Sequence, residues 1–431
     1  MILNLLSTSL LAVTPAHLIK RVHFPPRLSQ EVAYTLYDSA SLKATLEERS
    51  DILQKANRLA NILSTKLPVR RSKIQYMVAF IEKNRQEHPD VIGLGSLYIP
   101  KNHELPFSIQ VYDNGHTYIN LEEADPEKKK GGYKSFARAL DYDNETFYAQ
   151  LRTEVKDFYN LKKQIRELEI MDLLRDSPEA LNYRDTDIYV VKEFDEAKHI
   201  LSIHTEVYDT DLRSFKGQRE DTEQLLTLLK GATKGLHAMH QHSVVHRDLK
   251  AANYFFRERA GTREIVIADF GLSQSADDPR FGLNLCGTRG FMAPESCHRW
   301  ASDRSAFRTL AEGKAADVFS LGMVFRELIW GDQASPDSKA LTQLNYAALP
   351  PKTSGKTLDP KEVESRFESF VTAYGASYPQ VGDVRPRTKC LFILNALTWK
   401  MLDPHAHDRP SAEYVLQSLQ DLDRTQLCAN S

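Results

Sequence analysis

At 431 residues the chain has room for two or three domains, and its 42% hydrophobic and 26% charged residues are the balance of a globular protein. That composition excludes a chain that is disordered, collagen-like or coiled-coil throughout. The 56 Lys+Arg nearly cancel the 58 Asp+Glu, which excludes the global basic field that nucleic-acid binding draws on.

Residues 1–19 hold no Lys, Arg, Asp or Glu, and Lys20 is the first cation. A secretory signal needs a basic start before its apolar run, so a cytoplasmic amino terminus is expected. An uncharged, Ser/Thr-containing start of this kind would also suit a secreted bacterial effector. Ser7, Thr8, Ser9, Thr14 and Pro15 break any stretch long enough to be a transmembrane segment. The four cysteines, Cys286, Cys297, Cys390 and Cys428, are too scattered for a disulfide framework and form no C-x-x-C pair. A reducing compartment is the expectation.

From Ser39 to His88 apolar residues recur at helical spacing, as in Leu46, Ile52, Leu53, Leu59, Ile62 and Leu63. Pro68 interrupts the pattern, and a second helix is expected from Ser72 to Arg85. Residues 1–95 carry 13 Lys+Arg against 8 Asp+Glu, a solvated basic face or a docking surface for a partner or acidic lipid. Strand patterns follow. Residues Phe107–Tyr112 and His116–Leu121 flank Asp113-Asn114-Gly115, a hairpin turn. Further strands are expected over Lys134–Leu140, Thr146–Leu151, Asp187–Glu193 and Ile200–Val207, with an amphipathic helix over Val155–Leu174. Beyond Glu220 the pattern turns helical, starting with Thr222–His237. The stretch from Gly331 to Lys389 is broken by Pro336, Pro350, Pro351 and Pro360, and the chain has no internal repeat. A small β-rich lobe followed by a larger helical lobe, an α+β architecture, is the predicted fold class.

The chemistry concentrates in His246-Arg-Asp-Leu-Lys-Ala-Ala-Asn253, Asp269-Phe-Gly271 and Ala293-Pro-Glu295. Asp248 can orient or deprotonate a hydroxyl, and Lys250 can neutralise a transferring phosphoryl group. Asn253 and Asp269 supply hard oxygen ligands suited to Mg²⁺. Asp269 lies 16 positions after Asn253, which fits a hairpin of Tyr254–Phe256 and Glu264–Ile267 turning at Arg259-Ala-Gly261. Such a hairpin would set the two metal ligands side by side.

This ordered series, with Asp317-Val-Phe-Ser-Leu-Gly322 and Asp408-Arg-Pro410 after it, resembles the eukaryotic-type protein kinase family over roughly Leu121–Leu422. The resemblance implies a bilobal kinase fold: a helical extension over 1–105, then a kinase domain over 106–425. The small lobe would cover 106–207 and the large lobe 208–425. It implies ATP and Mg²⁺ as cofactors and a protein substrate with a Ser/Thr acceptor, with autophosphorylation possible and no nucleic acid. Lys250 resembles the serine/threonine class. Glu295 should pair with Arg409, and Asp317 should cap the catalytic loop. Arg247 should meet a phosphate on the activation segment, where Ser273 and Ser275 are early acceptors, and Thr288 should contact catalytic groups. In Thr205–Leu212 the resemblance makes Thr205 the gatekeeper. The Glu206 carbonyl and Tyr208 amide would face adenine, and Asp211 the ribose. Phe136, Ala149 and Phe255 would cover the base.

The small lobe departs from the family pattern. Its glycine loop, Lys129-Lys-Gly-Gly-Tyr-Lys-Ser-Phe136, matches only the middle glycine, at Gly131, with Gly132 beside it. Leu151 stands where the third-strand lysine belongs. Lys134, at the third glycine position, is similar to the cation of the with-no-lysine kinases, since a flexible ammonium can reach the phosphates from either strand. Arg152 is the competing cation, but alternation turns it to the other face unless a bulge intervenes. Glu167 best fits the helix glutamate, with Glu169 as the alternative. The second reading, a pseudokinase binding module or scaffold with weak or no transfer, rests on the same losses.

Overall fold

The computed structural model describes residues 38–64, 69–87, 97–99, 107–112, 114–121, 134–193, 196–214, 221–259, 261–303, 305–330, 386–425 and 428. Residues 1–19, Gly131, Gly132 and most of the 331–389 stretch lie outside them. The chain forms two compact units, one of residues up to Lys162 with Tyr183–Val207, the other of Lys163–Asn182 with Tyr208 onward.

Among the described residues of the first unit three helices precede the sheet: α1 (Ser39–Glu48), α2 (Ser50–Ser64) and α3 (Arg71–Glu87). The expected single run before Pro68 divides at Arg49, whose backbone turns extended after Asp38 has capped the start of α1. The strands are β1 (Leu97–Ile99), β2 (Ser108–Val111), β3 (Thr117–Leu121), β4 (Lys134–Asp141), β5 (Phe147–Glu154), β6 (Tyr183–Glu193) and β7 (Glu196–Glu206); helix α4 (Phe158–Leu173) follows β5 in the chain and from Lys163 on belongs to the other unit. They form one antiparallel sheet in the order β1-β2-β3-β4-β5-β7-β6. The β2–β3 hairpin closes as the sequence predicts, with Gly115 at φ 85° and its N–H donating to the Tyr112 carbonyl at 2.9 Å.

Leu46, Ile52, Leu59, Leu63, Met77 and Ile81 of the helices share one hydrophobic core with Ile109, Val111, Ile119, Leu121 and Leu140 of the strands. At its edge Arg85 holds Asp143 with two bonds of 2.8 Å, and Lys55 bridges Glu82 and Asp143. The helical extension is therefore built into this unit by packing as well as by charge.

The other face of the sheet is polar and buried. Gln110, Gln150, Ser202 and His204 are all 0% exposed. β1 also meets β6, so the sheet curls and bonds reach across its inside. Gln150 Nε2 donates to Gln110 at 3.1 Å and to Ser202 at 2.9 Å. His204 stacks on Tyr118 with ring centroids 3.9 Å apart, and the Tyr112 hydroxyl lies 2.7 Å from its Nδ1. Burial pulls the His204 pKa down to about 3, so the ring is neutral.

The second unit is mainly helical. After the short strand β8 (Thr210–Asp211) come α5 (Thr222–Gln241), β9 (Val244–Val245), β10 (Tyr254–Arg259), β11 (Thr262–Ile267) and β12 (Gln274–Ser275). Among the described residues, helices α6 (Pro294–Asp303), α7 (Leu310–Trp330), α8 (Pro386–Met401) and α9 (Ala412–Arg424) follow. Asp221 caps α5 by accepting from Gln224 N–H at 2.9 Å. Against the expectation of scattered cysteines kept reduced, Cys390 of α8 and Cys428 are joined in a disulfide. Helix packing brings the two together, and no local spacing encodes that.

Candidate active site

The loop after β9 is pinned from below by one buried carboxylate. Asp317 of α7 is 1% exposed and accepts the backbone N–H groups of His246 at 2.7 Å and Arg247 at 2.8 Å. His240 lies 3.2 Å from the same carboxylate, and burial holds its pKa down, so the neutral ring donates Nε2–H. The two backbone donors converging on this carboxylate stabilise an unusual backbone. Arg247 sits at φ 71°, in the left-handed region that costs a non-glycine residue energy.

This loop presents Asp248, 8% exposed, in a closed triangle. Thr288 Oγ1 donates to Asp248 Oδ1 at 2.6 Å, and Lys250 Nζ donates to Asp248 Oδ2 at 2.8 Å and to Thr288 Oγ1 at 3.0 Å. The close approach of the segment carrying Thr288 depends on Gly287, at φ 120°, where a Cβ would come within 2.5 Å of the Arg247 carbonyl. His246 is fixed by its bonds: Asp248 N–H donates to Nδ1 at 3.2 Å, so Nε2–H donates to the Ala268 carbonyl at 3.0 Å.

The predicted hairpin is present, with β10 and β11 paired from Tyr254–Ile267 to Arg259–Thr262. It delivers Asn253 beside Asp269, since Ala268 N–H donates to the Asn253 carbonyl at 2.9 Å. Asn253 Nδ2 donates to the Asp248 carbonyl at 2.8 Å, which directs the amide oxygen away as a ligand atom. Asp269 is exposed and holds φ 64°, a second strained backbone within the site. Two hard oxygen donors of this kind suit a hard divalent cation.

Glu167 of α4 is 4% exposed, whereas Glu169 is half-buried. A Cβ placed on Gly271 would lie 3.6 Å from both Glu167 Oε2 and Asp269 Oδ1, so the helix glutamate borders the Asp269 loop. The same position is 3.7 Å from Lys163 Cε, one helical turn before Glu167. Arg166 Nε pairs with Asp278 at 3.1 Å. The sequence reading missed this pair, whose one signal is that Arg166 precedes Glu167.

The Glu295–Arg409 pair forms as expected. Arg409, its side chain 0% exposed, donates to Glu295 at 2.8 and 2.7 Å, and to the carbonyls of Asp403, Ala315 and Pro404. Arg247 donates instead to the Asn284 backbone carbonyl, its guanidinium 5.6 Å from the Phe307 ring centroid. Ser273 is 1% exposed and donates to the His246 carbonyl at 3.3 Å, so it is no open acceptor. Burial pushes the Cys286 thiol up, which keeps it protonated beside these groups.

Among the nucleotide candidates, Thr205 and Ala149 are buried and Glu206 is exposed. Tyr208 is half-buried, 6.1 Å from the Phe255 ring centroid. Asp211 Oδ1 accepts from Ser214 N–H at 2.6 Å, and Asp211 pairs with Phe255. The backbone register sets Lys134 opposite Thr153, Ser135 opposite Arg152, and Phe136 opposite Leu151. No bulge breaks it. The charge of Arg152 adds to the depression of the His204 pKa, on the polar inner face of the sheet.

The model of the protein kinase domain family matches residues 130–419. The chain is 26% identical over 266 residues to the human serine/threonine-protein kinase Nek2, covering 59% of this chain and 47% of that one. It is 32% identical over 171 residues to mitogen-activated protein kinase kinase 8 of Arabidopsis thaliana, covering 37% and 50%. Over 133 residues it is 31% identical to calcium/calmodulin-dependent protein kinase cmkB of Emericella nidulans, covering 30% of each. The chain thus spans about half or less of the length of these curated relatives. With its two-unit α+β architecture and a carboxylate loop pinned by Asp317, the chain belongs to the protein kinase domain family.

Proposed function

We propose that this chain is a serine/threonine protein kinase that passes the γ-phosphoryl group of ATP to a protein hydroxyl, with Lys134 as the phosphate-facing cation. The observation that carries the transfer reading is the triangle of Asp248, Lys250 and Thr288. A Ser or Thr hydroxyl of the substrate hydrogen-bonds to Asp248, which aims its oxygen at the γ-phosphorus. The new O–P bond forms as the bond to the bridging oxygen breaks, ADP leaves, and the hydroxyl proton passes to the carboxylate. Lys250 offsets charge on the equatorial oxygens, and Thr288 keeps both groups in register. The same chemistry on the chain's own hydroxyls is autophosphorylation.

Asn253 and Asp269 would hold Mg²⁺, which when bound neutralises charge on the phosphates. The Glu206 carbonyl and Tyr208 amide recognise adenine, Asp211 the ribose, and Phe136, Ala149 and Phe255 enclose the base. Gly131 and Gly132 belong to the phosphate-binding loop in this reading. Lys134 takes the place of the third-strand lysine, and Glu167 is the helix glutamate of this reading. The unbroken register supports it: alternation groups Lys134 with Phe136 and Leu151, and sends Arg152 to the other face. A setting that supplies ATP and Mg²⁺ belongs to this reading.

The test is transfer from labelled ATP with Mg²⁺ to a basic protein and to the chain itself. Wild type should transfer, and Asp248→Ala should abolish transfer while still binding ATP. A silent wild type that binds ATP would favour the pseudokinase reading instead.

A further inference from the structure

The segment from Ser273 to Pro294 holds three hydroxyls, Ser273, Ser275 and Thr288. Ser273 is sealed beneath the catalytic loop, and Thr288 is shared between Asp248 and Lys250. Ser275 is half-buried in β12, paired with Val244. None of the three is fully exposed. Two arginines that face the segment are already engaged. Arg247 holds the Asn284 carbonyl, and Arg166 holds a carboxylate of the segment itself, Asp278, whose side chain is 7% exposed.

Asp278 is the centre of a compact turn. Its Oδ2 meets Arg166 Nε at 3.1 Å and Gln274 Nε2 at 3.4 Å. Its Oδ1 accepts Arg280 N–H at 2.9 Å and lies 3.9 Å from Arg280 Nε. Gln274 braces the same turn, donating to the Arg280 carbonyl and accepting Gly282 N–H, both at 3.0 Å. Gly282, at φ 71°, lets the chain pass so near Phe307 that a Cβ would clash with its carbonyl. Arg166 adjoins Glu167, which borders the Asp269 loop. A buried carboxylate that has lost its water is stable only with a partner, so the pair fixes both the helix and the segment.

We propose that Asp278 is a built-in counter-ion: through Arg166 it holds the activation segment and α4 in the arrangement for transfer, with no phosphorylated residue required. Asp278 is a positioning residue, remote from the reacting atoms. The inference rests on the kinase reading for its rate readout but has a second readout independent of it.

The experiment uses the full chain, dephosphorylated and confirmed phosphate-free by intact mass. It measures initial kcat and KM for ATP, and amide hydrogen exchange over residues 274–288. Phosphate-free wild type should keep kcat within about twofold. Asp278→Asn should lose kcat by about 10²-fold, the scale of a misplaced catalytic geometry, with KM for ATP little changed. The swap Arg166→Asp with Asp278→Arg should recover at least tenfold of that loss. Loss of activity on dephosphorylation, full kcat in Asp278→Asn, or a swap no better than either single variant would overturn the proposal. Should wild type transfer nothing, the kinase reading fails and exchange decides. Deprotection of the segment in Asp278→Asn, with the rest of the chain unchanged, supports the counter-ion, and unchanged protection overturns it.

Discussion

Asp317→Asn isolates the device that shapes the catalytic loop. The carboxylate accepts from His246 N–H at 2.7 Å, Arg247 N–H at 2.8 Å and His240 Nε2 at 3.2 Å, and it is 1% exposed. An asparagine keeps one oxygen, so its amide N–H₂ faces a backbone N–H and two donors collide. A bond to a charged acceptor is worth about 1.5–3 kcal/mol, and a buried donor left unpaired costs about 1–3 kcal/mol. The expected loss is about 3 kcal/mol, or a fall of roughly 6–12 °C in unfolding midpoint for a unit of this size. The strained Arg247 backbone would then relax, since such a conformation costs on the order of 1–3 kcal/mol to maintain. A shift of about 1 Å at Asp248 would lower kcat by about 10²-fold. Thermal unfolding and phosphate-transfer kinetics on one preparation measure both. A variant that loses under about 1 kcal/mol and keeps kcat within a few-fold would refute the pinning argument.

Glu295→Ala should cost about 3 kcal/mol in urea unfolding, the lower end for a broken buried pair, because Arg409 keeps its bonds to three backbone carbonyls. A cost below about 1 kcal/mol would mean that the pair does not tether the segment. His204 gives the first unit a pH dependence of defined sign. Its folded pKa of about 3 lies below the unfolded 6.5, so under pH 6.5 only the unfolded state takes the proton. Its stabilising contribution is complete above pH 6.5 and falls by up to about 1.4 kcal/mol per pH unit below it, roughly 2 kcal/mol by pH 5. His204→Gln should flatten that slope, and equal slopes in wild type and variant would contradict the neutral, buried ring.

The sequence spoke most clearly where local rules decide. Gly115 and Gly261 mark their turns, and the Asn253-to-Asp269 spacing measures out the β10–β11 hairpin. The Asp317 contacts and the Glu295–Arg409 pair join residues 71 and 114 positions apart, and only the family resemblance foretold them. Other features had no local trace. Gln110, Gln150 and Ser202 alternate with apolar neighbours, a pattern that reads as one wet face, but the curl of the sheet buries that face and lets its polar groups satisfy one another. β6 begins at Tyr183, ahead of the expected Asp187, because Asp185 gains partners from another hairpin: Tyr118 at 2.5 Å, Asn114 at 2.8 Å and His116 at 2.9 Å. The Arg166–Asp278 pair and the Cys390–Cys428 bond likewise arise from packing between distant segments.

In the proposed kinase the phosphate cation sits on the glycine loop instead of the third strand. The most direct measurement is kcat/KM for ATP-dependent transfer in wild type, Lys134→Ala and Arg152→Ala, with folding checked by thermal unfolding. The account predicts that Lys134→Ala loses about 2–4 kcal/mol of transition-state stabilisation, roughly 30- to 1000-fold in rate. Arg152→Ala should stay within a few-fold of wild type. An Arg152→Ala loss larger than that of Lys134→Ala, or transfer untouched by Lys134→Ala, would contradict it.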